Sequence, residues 1–209
     1  MKGFMLKKLI KFYKERYNKI KDKLDFTYID KTQVNDPFLN IKKDKIILII
    51  GEAPGRTEVE LKKPFCGLSG KNLLYLINQS GLNRESDFII TNAFPFRTFE
   101  SISKGVKNRT PNKKELEIGS ELLIEELKII KPDIILLLGG SALKSIKYIP
   151  EINENVKDLK RNEFKNINIF GFNTIITRAY HPSPLVYNTK SKADDLILYF
   201  GKLSNVFYN

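Results

Sequence analysis

The chain has 209 residues, which is enough to enclose one hydrophobic core without disulfide or metal staples. Apolar residues make up 42 % and charged residues 29 %, a balance that excludes a disordered chain. Lysine and arginine number 36 against 24 acidic residues, and the resulting net charge of +12 favours a polyanionic partner, with nucleic acid preferred over a membrane surface.

The sequence shows no segment that is long and apolar enough to span a membrane. Lysines interrupt the apolar runs of MKGFMLKKLIKFYKER before they reach the length of a secretion signal. The single cysteine, Cys66, excludes an internal disulfide and any metal or iron–sulfur site built on several thiolates. We therefore expect a protein without membrane attachment that works in the reducing cytoplasm.

The first predicted element is an amphipathic helix that precedes the main domain. Apolar residues recur there at helical spacing, with lysines between them, at Met5, Leu9, Tyr13, Tyr17, Ile20 and Leu24. A helix that docks this stripe on the core is favoured over a dedicated DNA-binding or membrane-binding arm. The polar segment 25–44 indicates a connection, so we divide the chain into a helix with connecting segment at 1–44 and a main domain at 45–209.

Four short apolar runs follow, and each leads into a turn: KIILIIGEAPG, DFIITNAFPF, DIILLLGGSA and TIITRAYHPS. Their nearly continuous Ile, Leu and Val content is typical of strands covered on both faces. Helical patterns accompany them at 71–82, 113–130, 141–146 and 192–206. The predicted fold class is α/β: a three-layer α/β/α sandwich with a central four-stranded, mainly parallel sheet, plus the N-terminal amphipathic helix.

Polar residues stand at three of these strand ends, where α/β folds bind their ligands. Glu52 follows the first strand, Asn92 ends the second, and His181, the only histidine, ends the fourth. Together these side chains can position a water, read a planar heterocycle and stabilise an oxyanion. Gly51 and Gly55 allow the backbone to approach a phosphate closely. Taken singly, each element is equally compatible with a tight turn, a cap or a rigid loop, so the prediction depends on their joint placement.

Several segments resemble family four of the uracil-DNA glycosylase superfamily. GEAPGRTEVELKKPFCGLSGKNLL is similar to the first motif of that branch, ITNAFPFR with NRTP-x-x-x-E to the second region, LLLGGSALKSI to the third, and YHPSPL to the histidine motif of the superfamily. The resemblance implies a monofunctional glycosylase that flips uracil out of DNA, hydrolyses its N-glycosidic bond and leaves an abasic site, in base excision repair. We expect DNA as the partner and a monomer that acts without a metal or other cofactor.

The resemblance also implies roles for the matching residues. Phe65 is expected to stack on the extruded base, Asn92 to hydrogen-bond its Watson–Crick edge, and Glu58 to crowd the C5 side and so disfavour thymine. Glu52 is expected to orient the attacking water and balance positive charge on the sugar, and His181 to donate a hydrogen bond toward O2 of the departing base. The implied DNA contacts are the wedge Leu185 and the residues around it or along the backbone path: Gly51, Gly55, Asn108, Arg109, Pro182 and Ser183.

The chain departs from the family pattern at its cysteines. Family-four enzymes usually carry four that hold an iron–sulfur cluster, but here Phe96 and approximately Gly119 occupy the later pair, and the N-terminal segment has none. We expect no cluster, with the N-terminal helix and the connecting segment covering that flank instead. Cys66 lies in PFCG, where the family has a small apolar residue, and we interpret it as a packing residue.

An insertion, TFESISKGVK at 98–107, replaces a short link of the family. A longer loop here resembles the branch that traps uracil DNA covalently through a histidine, but this loop has no histidine, so trapping is not expected. Lys104, Lys107 and Arg109 are expected to hold phosphates, and a solvated loop without a role is equally compatible. Val59 stands where the family often has Asp, which leaves the strictness of uracil selection open.

Other functions are compatible with parts of this pattern. A glycosylase for another base, such as hypoxanthine or a modified pyrimidine, is an alternative because Asn92 and Phe65 suit several heterocycles. A non-catalytic DNA-binding member of the fold is disfavoured because it needs none of Glu52, Asn92 and His181. A phosphate-ester hydrolase is disfavoured because the sequence lacks a metal-binding carboxylate cluster.

Overall fold

The computed structural model describes residues 2–36 and 45–209. The strands are β1 (Ile29–Asp30), β2 (Ile47–Gly51), β3 (Phe88–Asn92), β4 (Arg97–Ile102), β5 (Gly105–Asn108), β6 (Ile134–Leu138), β7 (Phe164–Ile169) and β8 (Phe172–Ala179). The helices are α1 (Lys2–Ile20), α2 (Arg56–Leu61), α3 (Leu68–Gln79), α4 (Arg84–Asp87), α5 (Lys113–Ile130), α6 (Gly140–Ile146), α7 (Pro150–Val156), α8 (Pro184–Tyr187) and α9 (Lys190–Tyr208). The four apolar strands are present, and the helix predicted at 113–130 has those bounds.

The central sheet has five strands, in the order β3-β2-β6-β8-β7. The first four are parallel, and β7 pairs antiparallel with β8 at one edge. The mainly parallel sheet is confirmed, but the predicted number of four strands is wrong by one. The missed strand reads FKNINI, an alternating pattern typical of an edge strand covered on one face, whereas the continuous apolar runs revealed only strands covered on both.

Helices cover both faces of this sheet. Alternate residues of a strand point to opposite faces, and β2 shows the division. Ile47 and Ile49 pack with α3 and α9, whereas Leu48 and Ile50 pack in the core formed by α1, α5, α6 and α7. All four side chains are fully buried. The predicted three-layer sandwich is therefore confirmed, and two buried faces explain why these strands lack a polar alternation.

The N-terminal helix α1 packs along α5. Leu9, Phe12, Tyr13 and Ile20 are buried in the same core as one face of the sheet. The predicted amphipathic helix is therefore present, although α1 ends at Ile20, before the last predicted position of its stripe, Leu24. The apolar side of α1 is part of the main core. Burial of this side stabilises the helix, whose mean hydropathy is otherwise low.

A buried polar cluster joins α1 to the strand that carries Asn92. Glu126 of α5 accepts a hydrogen bond from the Tyr13 hydroxyl at 2.5 Å and from Thr91 Oγ1 at 2.9 Å. Burial raises the pKa of Glu126, and these two hydrogen bonds and the charge of Arg16 oppose that rise. Because Thr91 directly precedes Asn92 in β3, the cluster fixes the end of that strand against both helices.

A second, antiparallel sheet has the order β1-β4-β5. The predicted insertion at 98–107 therefore forms most of a β-hairpin, in which Ser103 and Lys104 make the turn. Gly105 follows with φ of +115°, a conformation that side chains other than glycine rarely adopt. Every residue of β5 is exposed, so no buried face marked this segment as a strand in the sequence.

The division of the chain into 1–44 and 45–209 stays a prediction. The predicted connection at 25–44 includes the short strand β1, and its last part, 37–44, lies outside the described residues. Within 2–36 and 45–209, no helix is both long and apolar enough to cross a lipid bilayer.

Candidate active site

The carboxyl ends of β2, β3, β6 and β8 surround a cleft of about 610 Å³. Glu52, Asn92 and His181 all line it, together with Phe65 and Glu58. The structure thus brings together the three side chains that follow separate strands in the sequence. Loops and helix starts converge at this edge of a doubly wound sheet, which is why ligands bind there.

Asn92 occupies the last position of β3, in register with Gly51 of β2. Hydrogen bonds from Ala93 N to Gly51 O at 2.9 Å and from Phe94 N to Glu52 O at 3.1 Å continue the pairing past the strand ends. Asn92 is only 7 % exposed, and its carboxamide has no hydrogen-bond partner among the residues that the structure describes. The backbone therefore fixes an amide whose donor and acceptor remain available to a ligand.

Phe65 lies beside Asn92 because two glycines leave room for it. A Cβ on Gly51 would lie 2.8 Å from the Phe65 ring and 2.6 Å from Asn92 Oδ1, and a Cβ on Gly70 would lie 1.7 Å from the Phe65 carbonyl oxygen. Phe65 has φ of +50°, a left-handed conformation that costs a non-glycine residue about 1–2 kcal/mol. Gly51 lies outside the lining of the cleft, so its visible contribution is this close packing.

Glu58 fixes the loop that carries Phe65. Its carboxylate accepts hydrogen bonds from three backbone amides, those of Gly55 at 3.1 Å, Cys66 at 3.1 Å and Gly67 at 2.8 Å. The same carboxylate lines the cleft. Gly55 begins α2, and a Cβ there would lie 2.7 Å from Glu58 Oε2. Glu58 therefore joins the start of α2 to the Phe65 loop while it lines the cleft.

Glu52 is oriented by a residue that the sequence did not reveal. Ser141 Oγ donates a 2.6 Å hydrogen bond to Glu52 Oε2. Ser141 lies in the first turn of α6, directly after the Gly139-Gly140 pair that follows β6. The sequence could have pointed to Ser141 through its position just after the end of a strand. Glu52, Asn92 and His181 lie at or just after the ends of their own strands in the same way.

His181 follows β8 and faces Phe65, with 5.8 Å between ring centroids and 34° between ring planes. The backbone of His181 is also held, because Ser183 N donates a hydrogen bond to His181 O at 2.8 Å. Asn72 Nδ2 donates to Pro182 O at 3.0 Å and ties the same loop to α3. Asn72 is a second residue that the sequence did not reveal, and nothing in its local pattern points to this contact.

The surroundings of His181 keep its imidazole neutral. Burial lowers the pKa of His181 from its ordinary 6.5, and the carboxylates of Glu52 and Glu58 oppose the change by less. The ring is therefore neutral at pH 7 and carries one N–H donor. Gly139 has φ of +88°, and a Cβ there would lie 3.0 Å from His181 Cβ, so glycine gives the imidazole its room.

One known family matches most of this chain. The family model of the Uracil DNA glycosylase superfamily matches residues 38–203. The chain belongs to the uracil-DNA glycosylase superfamily. The resemblance seen in the sequence is thereby confirmed.

Individual members of the superfamily are 30 to 34 % identical to this chain over the parts that align. It is 34 % identical over 145 residues to the Type-4 uracil-DNA glycosylase of Saccharolobus solfataricus, which covers 68 % of this chain and 62 % of that protein. It is 30 % identical over 159 residues to the Type-4 uracil-DNA glycosylase of Pyrobaculum aerophilum, 74 % of this chain and 76 % of that one. The Thermotoga maritima enzyme of the same name is 30 % identical over 155 residues, with 74 % and 73 % covered. The chain thus spans less than two thirds of the first of these relatives.

The predicted DNA contacts of this superfamily member divide into two groups. Ser183 and Asn108 line the cleft, and Leu185 beside it is 83 % exposed. Arg109 is placed differently, because its guanidinium donates to both carboxylate oxygens of Glu115, at 2.7 and 2.6 Å. Those hydrogen bonds raise the pKa of Arg109, and four of its five N–H donors are already used within the protein, which leaves one for the predicted phosphate contact.

The residues at the predicted cluster positions do not fit an iron–sulfur cluster. Phe96 is fully buried, and its ring lies 6.1 Å from those of Tyr17 and Phe26 between centroids. A Cβ on Gly119 would lie 2.1 Å from the carbonyl oxygen of Ala93. Neither residue offers a thiolate, and aromatic rings from α1 and from the segment after it fill the flank. In the described part of the chain, no three His, Cys, Asp or Glu side chains are grouped to hold a metal ion.

Cys66 is partly buried beside Glu58, and its thiol donates to Lys63 O at 3.2 Å. Burial raises the pKa of Cys66, and the Glu58 charge acts in the same direction. The thiol form is therefore favoured at neutral pH, which agrees with the interpretation of Cys66 as a packing residue rather than a nucleophile.

Proposed function

We propose that this protein excises uracil from DNA by hydrolysing the N-glycosidic bond, which leaves an abasic site for base excision repair. The observation that carries the proposal is the unpartnered carboxamide of Asn92, which shares one cleft with Phe65, Glu52 and His181. An amide with a free donor and a free acceptor is suited to the paired acceptor and donor on the edge of a pyrimidine. The names of the Type-4 relatives support the same substrate.

Access to the base requires that it leave the duplex. Extruding a nucleotide costs a few kcal/mol, and an apolar wedge together with a stacking ring offsets that cost. Leu185 is the most exposed large apolar side chain of the described residues, and we assign it the wedge. Phe65 then supplies the stacking surface inside the cleft.

The bond between C1′ of the sugar and N1 of uracil breaks with its electron pair moving to the base. Positive charge develops on the sugar and negative charge on uracil, so a carboxylate and an imidazole donor suit the two ends of one transition state. Glu52, oriented by Ser141, holds the water whose oxygen bonds to C1′, and it accepts the proton that finally reaches the uracil anion. His181, neutral and held by its loop, donates its N–H toward O2 as the anion forms.

Selection against thymine is assigned to Glu58. Its carboxylate lines the cleft and is fixed by three amides, so it cannot swing aside for a methyl group at C5 without loosening the Phe65 loop. Val59, in place of an acidic neighbour, does not alter these contacts.

Three further assignments accompany this function. The protein is proposed to act as a monomer, to need no cofactor for the hydrolysis, and to work in the cytoplasm, where the single cysteine stays reduced. Residues 1–44 are proposed to form a helical extension of a catalytic domain at 45–209.

The function is tested with oligonucleotides that carry uracil, hypoxanthine, xanthine or a thymine mismatch, followed by alkali and a search for strand breaks. We expect breaks at uracil. Breaks only at hypoxanthine would favour the alternative of another damaged base, and no breaks at any base would contradict a glycosylase.

Asn92→Ala tests the role of the Asn92 carboxamide in excision. Excision is expected to fall by at least roughly 10²-fold, the cost of losing a preorganised hydrogen-bonding group, while binding to undamaged duplex stays unchanged. Asn168→Ala removes an exposed amide on the edge strand β7 and serves as the control. Equal excision by both variants would contradict the assignment of Asn92.

A further inference from the structure

The hairpin formed by β4 and β5, residues 97–108, is rooted in the active site. We call it the rim hairpin. Asn108, its last residue, lines the cleft, and Arg97 Nε, from its first residue, donates to Asn108 Oδ1 at 2.7 Å. Thr98 Oγ1 donates to Arg109 O at 2.6 Å, and the Arg109–Glu115 ion pair holds the chain that follows. The base of the hairpin is therefore fixed, and its exposed tip lies outside the lining of the cleft.

Strand register divides the rim hairpin into two sides. Phe99 pairs with Asn108 and Ser101 with Val106, whereas Glu100 pairs with Lys107 and Ile102 with Gly105. Because side chains alternate across a strand, the first two pairs share one side and the last two pairs share the other. Since Asn108 lines the cleft, Val106 is on the cleft side, two residues or about 7 Å further out.

The cleft side of the rim hairpin carries an exposed apolar residue, and the tip carries a cation. Val106 is 45 % exposed, and Lys104 occupies the turn at the tip. The outer side also carries an apolar residue and a cation, which serve as controls. Ile102 is 43 % exposed, and Lys107 forms an ion pair with Glu100 at 3.0 Å. The sequence grouped Lys104 and Lys107 as phosphate contacts, but the register places Lys107 on the outer side, whereas Lys104 lies in the turn.

The rim hairpin and the wedge lie on opposite sides of the cleft. The hairpin follows β3 and the wedge follows β8, and β2 and β6 lie between these strands in the sheet. With a spacing of about 4.8 Å between neighbouring strands, the two exits are roughly 14 Å apart. A DNA strand that crossed the cleft along this line would reach both the wedge and the hairpin.

We propose that the cleft side of the rim hairpin is a second DNA contact, in which Val106 packs on the sugars next to the target nucleotide and Lys104 binds a phosphate. This inference rests on the proposed function for its partner, DNA. The net charge of +12 and the cation at the tip match a polyanion. The contact anchors the strand on the side of the target away from Leu185.

The test compares Val106→Glu with Ile102→Glu. Both add one negative charge to an exposed position of the same hairpin, so their effects on the overall field are alike, and only the side differs. We expect Val106→Glu to weaken binding to an undamaged duplex about tenfold and Ile102→Glu to change it less than twofold, measured by fluorescence anisotropy. Equal weakening, or none for Val106→Glu, overturns the inference; thermal melting establishes that both variants are folded.

Salt dependence gives a second readout of the same contact. Lys104→Ala is expected to reduce the slope of log K against log salt concentration by about one, the value for one lost phosphate contact. Lys107→Ala, on the outer side, is expected to leave the slope unchanged. The same slope for both variants overturns the inference.

These measurements use undamaged duplex, so they do not depend on excision. If uracil is not excised but the paired variants differ in binding, the contact stands and the proposed function fails. If uracil is excised and the paired variants bind alike, the function stands and the contact fails.

Discussion

Ser141 acts on the reaction through its 2.6 Å hydrogen bond to Glu52. Ser141→Ala leaves the carboxylate in place but removes its orienting donor, so kcat for uracil excision is expected to fall roughly 10–100-fold, the worth of a hydrogen bond to a charged group, with little change in KM. In a Glu52→Gln background the same substitution is expected to have little further effect, because the two side chains act as a unit. Single-turnover kinetics of the four proteins measures this, and additive losses would separate Ser141 from Glu52.

His181 makes the stability of the protein depend on pH in a defined direction. Its pKa is lowered on folding from 6.5, so below that pH the unfolded chain binds a proton that the folded chain does not. The free energy of unfolding should therefore fall as pH drops from 7 through 6.5. Above 6.5 the histidine is neutral in both states, so it lowers the stability only below that pH.

His181→Asn isolates this contribution, because the chain has a single histidine and the carboxylates are common to both proteins. Urea unfolding at several pH values is expected to show a steeper loss of stability on acidification for the native chain than for the variant. Parallel curves, or a shallower loss in the native chain, would mean that burial does not dominate the environment of the imidazole.

At the scale of elements, the contact between α3 and the Phe65 loop depends on Gly70. A Cβ at this position would lie 1.7 Å from the Phe65 carbonyl oxygen, so Gly70→Ala must displace the helix or the loop and is expected to cost roughly 1–3 kcal/mol of stability as well as activity. At Gly201 in α9 a Cβ would meet no atom within 4 Å apart from its chain neighbours and the backbone of its own helix, and Gly201→Ala is expected to add about 0.5–1 kcal/mol of stability. Urea unfolding compares the two, and a loss in both would shift the cause from the Phe65 contact to helix position alone.

The elements that sequence reasoning recovered are those with two buried faces or a clear start. The four inner strands are continuous apolar runs, and α5 begins at Asn112, whose side chain caps the helix together with Glu115. Strand β7 and the rim hairpin were not recovered, because an edge strand buries one face and β5 buries none. A hydrophobic pattern in the sequence indicates burial. It therefore does not predict a strand that is held by backbone hydrogen bonds alone.

At the scale of the whole molecule, strand order decided how much of the site could be predicted. Glu52, Asn92 and His181 follow apolar runs directly, and parallel strands bring such ends to one edge, so their convergence was visible in the sequence. Ser141 and Asn72 act through partners 89 and 110 residues away. Contacts of this kind depend on how helices seat on the sheet, which no local pattern encodes.

Glu58 holds two amides of the loop that carries the stacking ring and the amide of Gly55, and it also lines the cleft. A substitution of Glu58 that changed the selection of the base would therefore also change the position of the Phe65 ring. A lineage that acquired a new substrate would have to vary the remaining wall of the cleft, around Leu68 and Ser69, and leave this carboxylate untouched.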